Sequence, residues 1–207
     1  ISGSRRWARE GYFEGSDYGA NSFFASVEKR INKKHSLNFT TIYAQNTRGK
    51  SSPNTNEVNN LMGIKYNSYW GWQDGKKRNS RDKDVEEPIL MLSHYWKISD
   101  KTTINTNVAY QTGSIGNSRL DYQTANSPDP TYYKNLPSYY SNLGDIAGAN
   151  AAQNYFLNNS QINWNAMYYA NQNSSVNPGK SLYALYEDRT DDKQITANSI
   201  LFSDLSD

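Results

Sequence analysis

Two kinds of connection join the strands of this chain, and their difference in length restricts the fold more than any motif does. Residues 22–31 (SFFASVEKRI) put Phe23, Ala25 and Val27 on one face and Ser26, Glu28 and Arg30 on the other. That is the period of two expected of a strand with unlike faces. A polar three-residue turn at 32–34 (NKK) leads into 35–45, where Leu37, Phe39, Thr41 and Tyr43 alternate with Ser36, Asn38, Thr40 and Ala44. The rhythm returns at 88–98, with Leu90, Leu92, His94 and Trp96 in phase, then a turn at 99–101 (SDK), then 102–111. In that last strand Ile104, Thr106, Val108 and Tyr110 oppose Thr103, Asn105, Asn107 and Ala109. A third pair is expected from 181–188 and 194–203 around a charged tip at 189–193. The connections 47–87 and 113–180 are far longer, and rich in Asn, Ser, Gly, Pro and aromatics.

Long connections argue against an ordinary compact domain, and a β-sandwich more usually spaces its strands every 8–12 residues or so. A transmembrane β-barrel combines short turns at one rim with long loops at the other. Composition agrees. The chain is only 36% hydrophobic with a mean hydropathy of −0.90, yet it carries 17 Tyr and 5 Trp. Disordered chains are poor in aromatics, whereas a barrel wall shows lipid only alternate residues and concentrates Tyr and Trp at the two interfaces. A secreted β-rich module with a polar, Tyr-rich surface is the other fold compatible with these numbers. No apolar run reaches the roughly 18 residues of a transmembrane helix. The opening stretch ISGSRRWARE lacks the apolar segment of a signal peptide, and the chain is expected to be an internal piece of a longer protein. Within 6–14 a strand is expected around Trp7 and Tyr12. Residues 61–72 read as a strand or an aromatic-packed loop, and 161–171 read as a short helix from the spacing of Ile162, Ala166 and Tyr169.

The NKK and SDK turns, SPDPTYYKNLPSYY (127–140), QINWNAMYYAN (161–171) and LYALYEDRTDDKQITANS (182–199) together resemble the barrel of TonB-dependent receptors of Bacteroidota-type bacteria. The likeness spans most of the chain. It implies an all-β antiparallel barrel of about 22 strands whose lumen is closed by a plug domain. This chain would be a partial barrel, with hairpins at 22–45, 88–111 and 181–203, loops at 47–87 and 113–180, and the plug and C-terminal strands outside it. The resemblance further implies an outer-membrane location, contact with outer-membrane lipid, periplasmic TonB engaged through a segment outside this chain, a surface lipoprotein as a possible partner, and energy-coupled uptake of a solute. A passive porin-like barrel and a secreted adhesin or glycan-binding module are the rival readings.

No catalytic frame is present: GxSxG, HExxH and the phosphate-binding loop are absent, and no enzyme activity or cofactor is expected. The net charge of +2 carries no nucleic-acid footprint. Without Cys there is no disulfide framework or thiol chemistry. His35 and His94 lie in strands and read as interfacial or lumen-lining. Two acidic stretches contain the candidate Ca²⁺ ligands Asp82, Asp84, Glu187 and Asp191, since hard cations take several carboxylate oxygens. The alternative is a solvated loop whose charge is balanced by Arg81, Lys83, Arg189 and Lys193. The candidate ligand or partner contacts are the loop aromatics Tyr69, Trp70, Trp72, Tyr132, Tyr133, Tyr139 and Tyr140, because Tyr and Trp supply rigid amphipathic area. Packing of loop on loop is the alternative use of the same side chains.

Overall fold

The computed structural model describes residues 1–173 and 180–204. Its main body is one antiparallel sheet in which each strand pairs with its neighbour in sequence. The strands are β1 (Ser2–Ala8), β2 (Tyr18–Arg30), β3 (His35–Gly49), β6 (Asp82–Glu86) continued by β7 (Ile89–Lys97), β8 (Thr102–Asp121) and β9 (Ala184–Ser203). Between β3 and β6 stand α1 (Asn56–Met62) and the small hairpin of β4 (Trp70–Gln73) and β5 (Lys76–Asn79). Between β8 and β9 come a 3-10 turn (Tyr133–Asn135), α2 (Pro137–Asn142), α3 (Ile146–Asn158) and α4 (Trp164–Gln172).

β6 and β7 are one strand interrupted at Pro88. The register crosses the proline without slipping: Gln45 faces Glu86 and Ile42 faces Ile89. Pro88 has no N–H to give the ladder, but its carbonyl still accepts from Thr112 N at 3.2 Å. The turn at 32–34 is made by Asn32, whose Oδ1 accepts from Lys34 N (2.8 Å) and His35 N (3.0 Å); a short side chain bonding the backbone ahead of it is the usual device of an Asx turn. In the turn at 99–101, Ser99 Oγ accepts from Lys101 N at 3.3 Å. The two turns lie side by side, with Lys97 N donating to Lys34 O at 2.8 Å. Every long connection leaves from the opposite rim.

Four expectations need correction. Residues 181–203 are not a hairpin: β9 is one 20-residue strand paired along its whole length with β8. The stretch 189–193 was read as a tip because it is charged, but it has no Gly, Pro or Asn to reverse the chain, and it lies opposite residues 112–116 of β8. The stretches 47–87 and 113–180 are not loops throughout, since β3 runs to Gly49, β6 begins at Asp82, β8 runs to Asp121, and helices fill much of the remainder; residues 174–179 of the second stretch lie outside the described residues. Strand β1 covers Ser2–Ala8, so Trp7 lies in it and Tyr12 does not. Residues 61–72 split into the end of α1, an irregular stretch and the start of β4. The helix expected within 161–171 is α4, capped by Asn163 Oδ1 accepting from Ala166 N at 2.9 Å.

The buried apolar side chains cluster in the connections and not on the sheet. Val58, Tyr66, Leu136 and Phe156 form one core, and Ile162, Trp164 and Met167 form a second, with Leu120 and Tyr183 against it. Both lie at the long-connection rim.

Candidate functional site

Register and alternation give the main sheet two unlike faces. On the first, Val27, Phe39, Leu92, Val108 and Ala197 form one row across five strands, and Ala25, Thr41, Leu90, Tyr110 and Ile195 form the next. These side chains have no covering layer among the described residues: Phe39 is 47% exposed, Leu92 48%, Val108 44% and Ile195 74%. None of them belongs to either buried cluster. Towards the short turns, His35 stacks between His94 and Trp96, with Nδ1 of His35 3.0 Å from Nε2 of His94.

The second face is mixed, with Phe24, Ile42 and Ile89 in one row and Tyr95 and Ile200 on either side of Asn105, but a polar ladder runs through its middle. Glu28, Asn38, Ser93, Asn107 and Asn198 share one row. Ser26 Oγ and Thr40 Oγ1 are 2.8 Å apart, Asn38 Nδ2 donates to Ser26 Oγ (3.1 Å), and Asn107 Nδ2 donates to Asn198 Oδ1 (2.9 Å). Asn105 lies on this face too, opposite Tyr95. Leu37, Phe39, Tyr43, Leu90, Leu92, Val108 and Tyr110 all share the first face; Asn38, Asn105 and Asn107 share the second.

Beyond the apolar rows the strands continue towards the long connections with charged residues. Asp82, Asp84 and Glu86 lie on the apolar side, as do Glu187, Arg189 and Asp191. β8 separates β6 from β9, which holds the two acidic groups about 10 Å apart at the usual strand spacing. No grouping of three or more His, Asp or Glu fit for a metal occurs among the described residues. The Ca²⁺ set Asp82, Asp84, Glu187 and Asp191 is therefore not assembled. Arg189 instead pairs with Asp191 (3.2 Å) and Glu187 (3.8 Å). Asp82 is pushed up to about 6, first by burial and then by Asp17 and Asp84.

The loop aromatics divide by burial. Trp70 is 3% exposed and cannot be a contact residue: it fills a loop core, and its ring lies where a Cβ on Gly15 would be. Gly15 has φ 64°, a conformation that favours glycine, so the close approach and the backbone shape require the same residue. Trp72 sits edge-on to Trp70 at 5.7 Å, is 53% exposed and borders a cavity of about 630 Å³ shared with Asp129, Tyr155, Asn163 and Tyr183. Lys77 reaches over both rings and pairs with Glu10 at 2.5 Å. Tyr132, Tyr133, Tyr139 and Tyr140 form a continuous edge-to-face chain with centroid spacings of 4.8, 5.5 and 5.2 Å. Tyr69 lies under the guanidinium of Arg81 at 5.4 Å.

Sequence reasoning missed the polar junction beneath these loops. Asn67 is fully buried; its Nδ2 donates to Glu14 O (2.8 Å) and Lys50 O (3.1 Å), while its Oδ1 accepts from Ser52 N and Tyr69 N. Asn79, also buried, donates to Gly15 O (3.1 Å) and Lys50 O (2.9 Å). Asn in a loop ordinarily reads as solvated, and nothing in the local sequence marks these two as structural. No protein-family profile, curated protein or solved structure matches the chain.

Proposed function

We propose that this chain belongs to the class of outer-membrane β-barrels and forms part of the wall and the long outer loops of one. The observation that carries the reading is the unlike pair of faces on an uncovered sheet. Burying apolar area against water-free surroundings is worth about 25 cal/mol per Å², and a sheet in water would recruit a second layer for it. Lipid does the same service for the rows from Ala25 to Ile195 and from Val27 to Ala197, while the Asn and Ser ladder faces a wet lumen. Closure into a barrel supplies partners for the open edges of β1 and β9. No described helix is long and apolar enough to cross a membrane, which leaves strand crossing untouched.

Within that class, the particular protein we infer is a TonB-dependent receptor that takes up a solute with energy drawn from TonB. Support comes from the sequence resemblance and from loops that carry their own cores, as a binding lid requires. Outer-membrane lipid and periplasmic TonB are the partners of this reading, and a surface lipoprotein fits the loop side.

Fractionation and conductance test it. The protein should sediment with outer membranes, need detergent for extraction, and run faster on gels unheated than boiled. In planar bilayers the whole receptor should stay closed, since the reading gives it a plug domain supplied from outside this chain. A soluble monomer in plain buffer removes the barrel, and a large steady conductance replaces the receptor with a porin.

A further inference from the structure

The polar face carries a cluster of positive charge at the long-connection rim. Arg48 and Lys83 are direct cross-strand partners, and Lys83 in turn faces Asn117. Lys50 N donates to Arg81 O at 2.8 Å, which sets the next pair of cations beside the first. Lys50 Nζ then reaches Asn117 Oδ1 at 2.6 Å. Like charges placed opposite one another on a sheet are destabilising. Among the described residues, none of Arg48, Lys50, Arg81 and Lys83 makes an ion pair within 4 Å. Asp82 and Asp84 do not offset them, because alternation sends those side chains to the other face; Asp188 shares their face, in the row of Arg48, Lys83 and Asn117, but is paired with Arg119 at 2.9 Å.

The cluster is also held in place. Both buried amides, Asn67 and Asn79, donate to the Lys50 carbonyl, Asn79 Oδ1 accepts from Arg81 N at 2.8 Å, and the Arg81 guanidinium is stacked over Tyr69. The Lys50 ammonium is held below its ordinary range by burial first and then by Lys83, Arg81 and Arg48. Four cations, none ion-paired among the described residues and two of them on backbone held by buried amides, form a preorganised acceptor for an oxyanion, whose oxygens take charge-assisted bonds from guanidinium and ammonium groups.

We propose that Arg48, Lys50, Arg81 and Lys83 form an oxyanion-binding site on the polar face of the sheet that takes the carboxylate or phosphate group of an acidic solute. This deepens the receptor reading, and rests on it for the claim that the bound group belongs to the cargo.

The test is equilibrium titration of the purified protein in a non-ionic detergent with inorganic phosphate and, separately, citrate. Saturable binding of either probe is expected, weakening as NaCl rises. The double variant Arg48→Gln/Lys83→Gln should bind at least about tenfold more weakly, the loss of one or more charge-assisted contacts, while Lys33→Gln at the distant turn leaves binding unchanged. The charge-preserving exchange Arg48→Lys/Lys83→Arg should keep saturable binding and lose less than the double Gln variant, because the charge stays while the donor geometry changes, which separates loss of charge from loss of fold. The double Gln variant should melt no lower than the parent, since the opposed charges are gone. Saturation by phosphate alone assigns a phosphoryl group, and by citrate alone a carboxylate. Absence of saturable binding of both probes, or equal weakening in Lys33→Gln, overturns the proposal. Titration in detergent does not depend on transport, so its failure is distinct from a failure of membrane fractionation or conductance.

Discussion

Replacing Leu92 by Arg and, separately, its neighbour Ser93 by Arg asks the sheet which face meets lipid. Leu92 lies between Phe39 and Val108 in a row apolar on every strand. Along β7 it is four residues from Trp96 and four from Pro88, so about 13 Å from each at the usual strand rise. With the tilt of about 40° common to membrane barrels, that span projects to roughly 20 Å along the membrane normal, close to the height of a barrel's apolar band, and Leu92 sits near its middle. An Arg there should cost about 2–4 kcal/mol. Among the described residues Ser93 makes no side-chain hydrogen bond, and Glu28 shares its row two strands away, so an Arg there keeps its hydration on the wet side and should cost less than about 1 kcal/mol. Were the sheet in water, Leu92, which is 48% exposed, would be an ordinary surface position, and its substitution would fall within about 0.5 kcal/mol. Urea titration of the protein refolded into short-chain phosphatidylcholine vesicles reads the two values. Equal costs, or a larger one for Ser93→Arg, would refute the assignment of faces.

Three further outcomes follow from the rim. Phe156, 1% exposed and edge-on to Tyr66, should cost the loop assembly about 3–5 kcal/mol when cut to Ala; chymotrypsin would then cleave within α3 or α4 while the strands stay resistant, and uniform loss of the whole fold would contradict separate loop cores. Because the Asp82 carboxyl is raised to about 6 by burial and by Asp17 and Asp84, the fold favours its neutral form. That contribution is full below the ordinary carboxylate value near 4, and is lost as the pH climbs through 6. Asp82→Asn should therefore raise the thermal midpoint at pH 8 and change little at pH 4; the opposite pattern would mean that the charged form is the one the rim holds. On intact cells, a Cys placed at Asn60 in α1 should react with an impermeant maleimide and a Cys at Lys33 should not, with the reverse result inverting the sheet.

The sequence disclosed the sheet far better than the connections. Alternation alone located β2, β3, β7 and the lower half of β8, because over several residues of each the larger apolar side chains mostly fall on one face and Asn, Ser and charged residues on the other, Phe24 of β2 being an exception. It failed where the strands outrun the apolar band. Charged residues 189–193 looked like a turn, although past the apolar rows both faces of a strand can carry charge, and only pairing with β8 decides the matter. The loop cores were partly legible: α4 was visible from Ile162, Ala166 and Tyr169, whereas α1 and α3 draw their stability from long-range burial of Val58 and Phe156, which local spacing does not encode. Of the candidate contacts, the four tyrosines at 132–140 converge into one chain, and Trp70 turns inward. The cationic cluster was hidden by the same alternation that revealed the strands: Lys83 sits between Asp82 and Asp84 in sequence and on the opposite face from both.

The central claim is that one face of this sheet touches lipid and the other touches water, and spin-label accessibility measures that directly. Nitroxides at Phe39, Leu92, Val108 and Ala197 should be relaxed strongly by oxygen, which partitions into lipid, and weakly by a water-soluble nickel chelate. Labels at Asn38, Ser93, Asn107 and Asn198 should show the reverse in the same vesicles. An oxygen preference alternating with a period of two along β7, β8 and β9 is the predicted result; accessibility to the nickel chelate that is equal at adjacent positions would contradict a membrane-spanning wall.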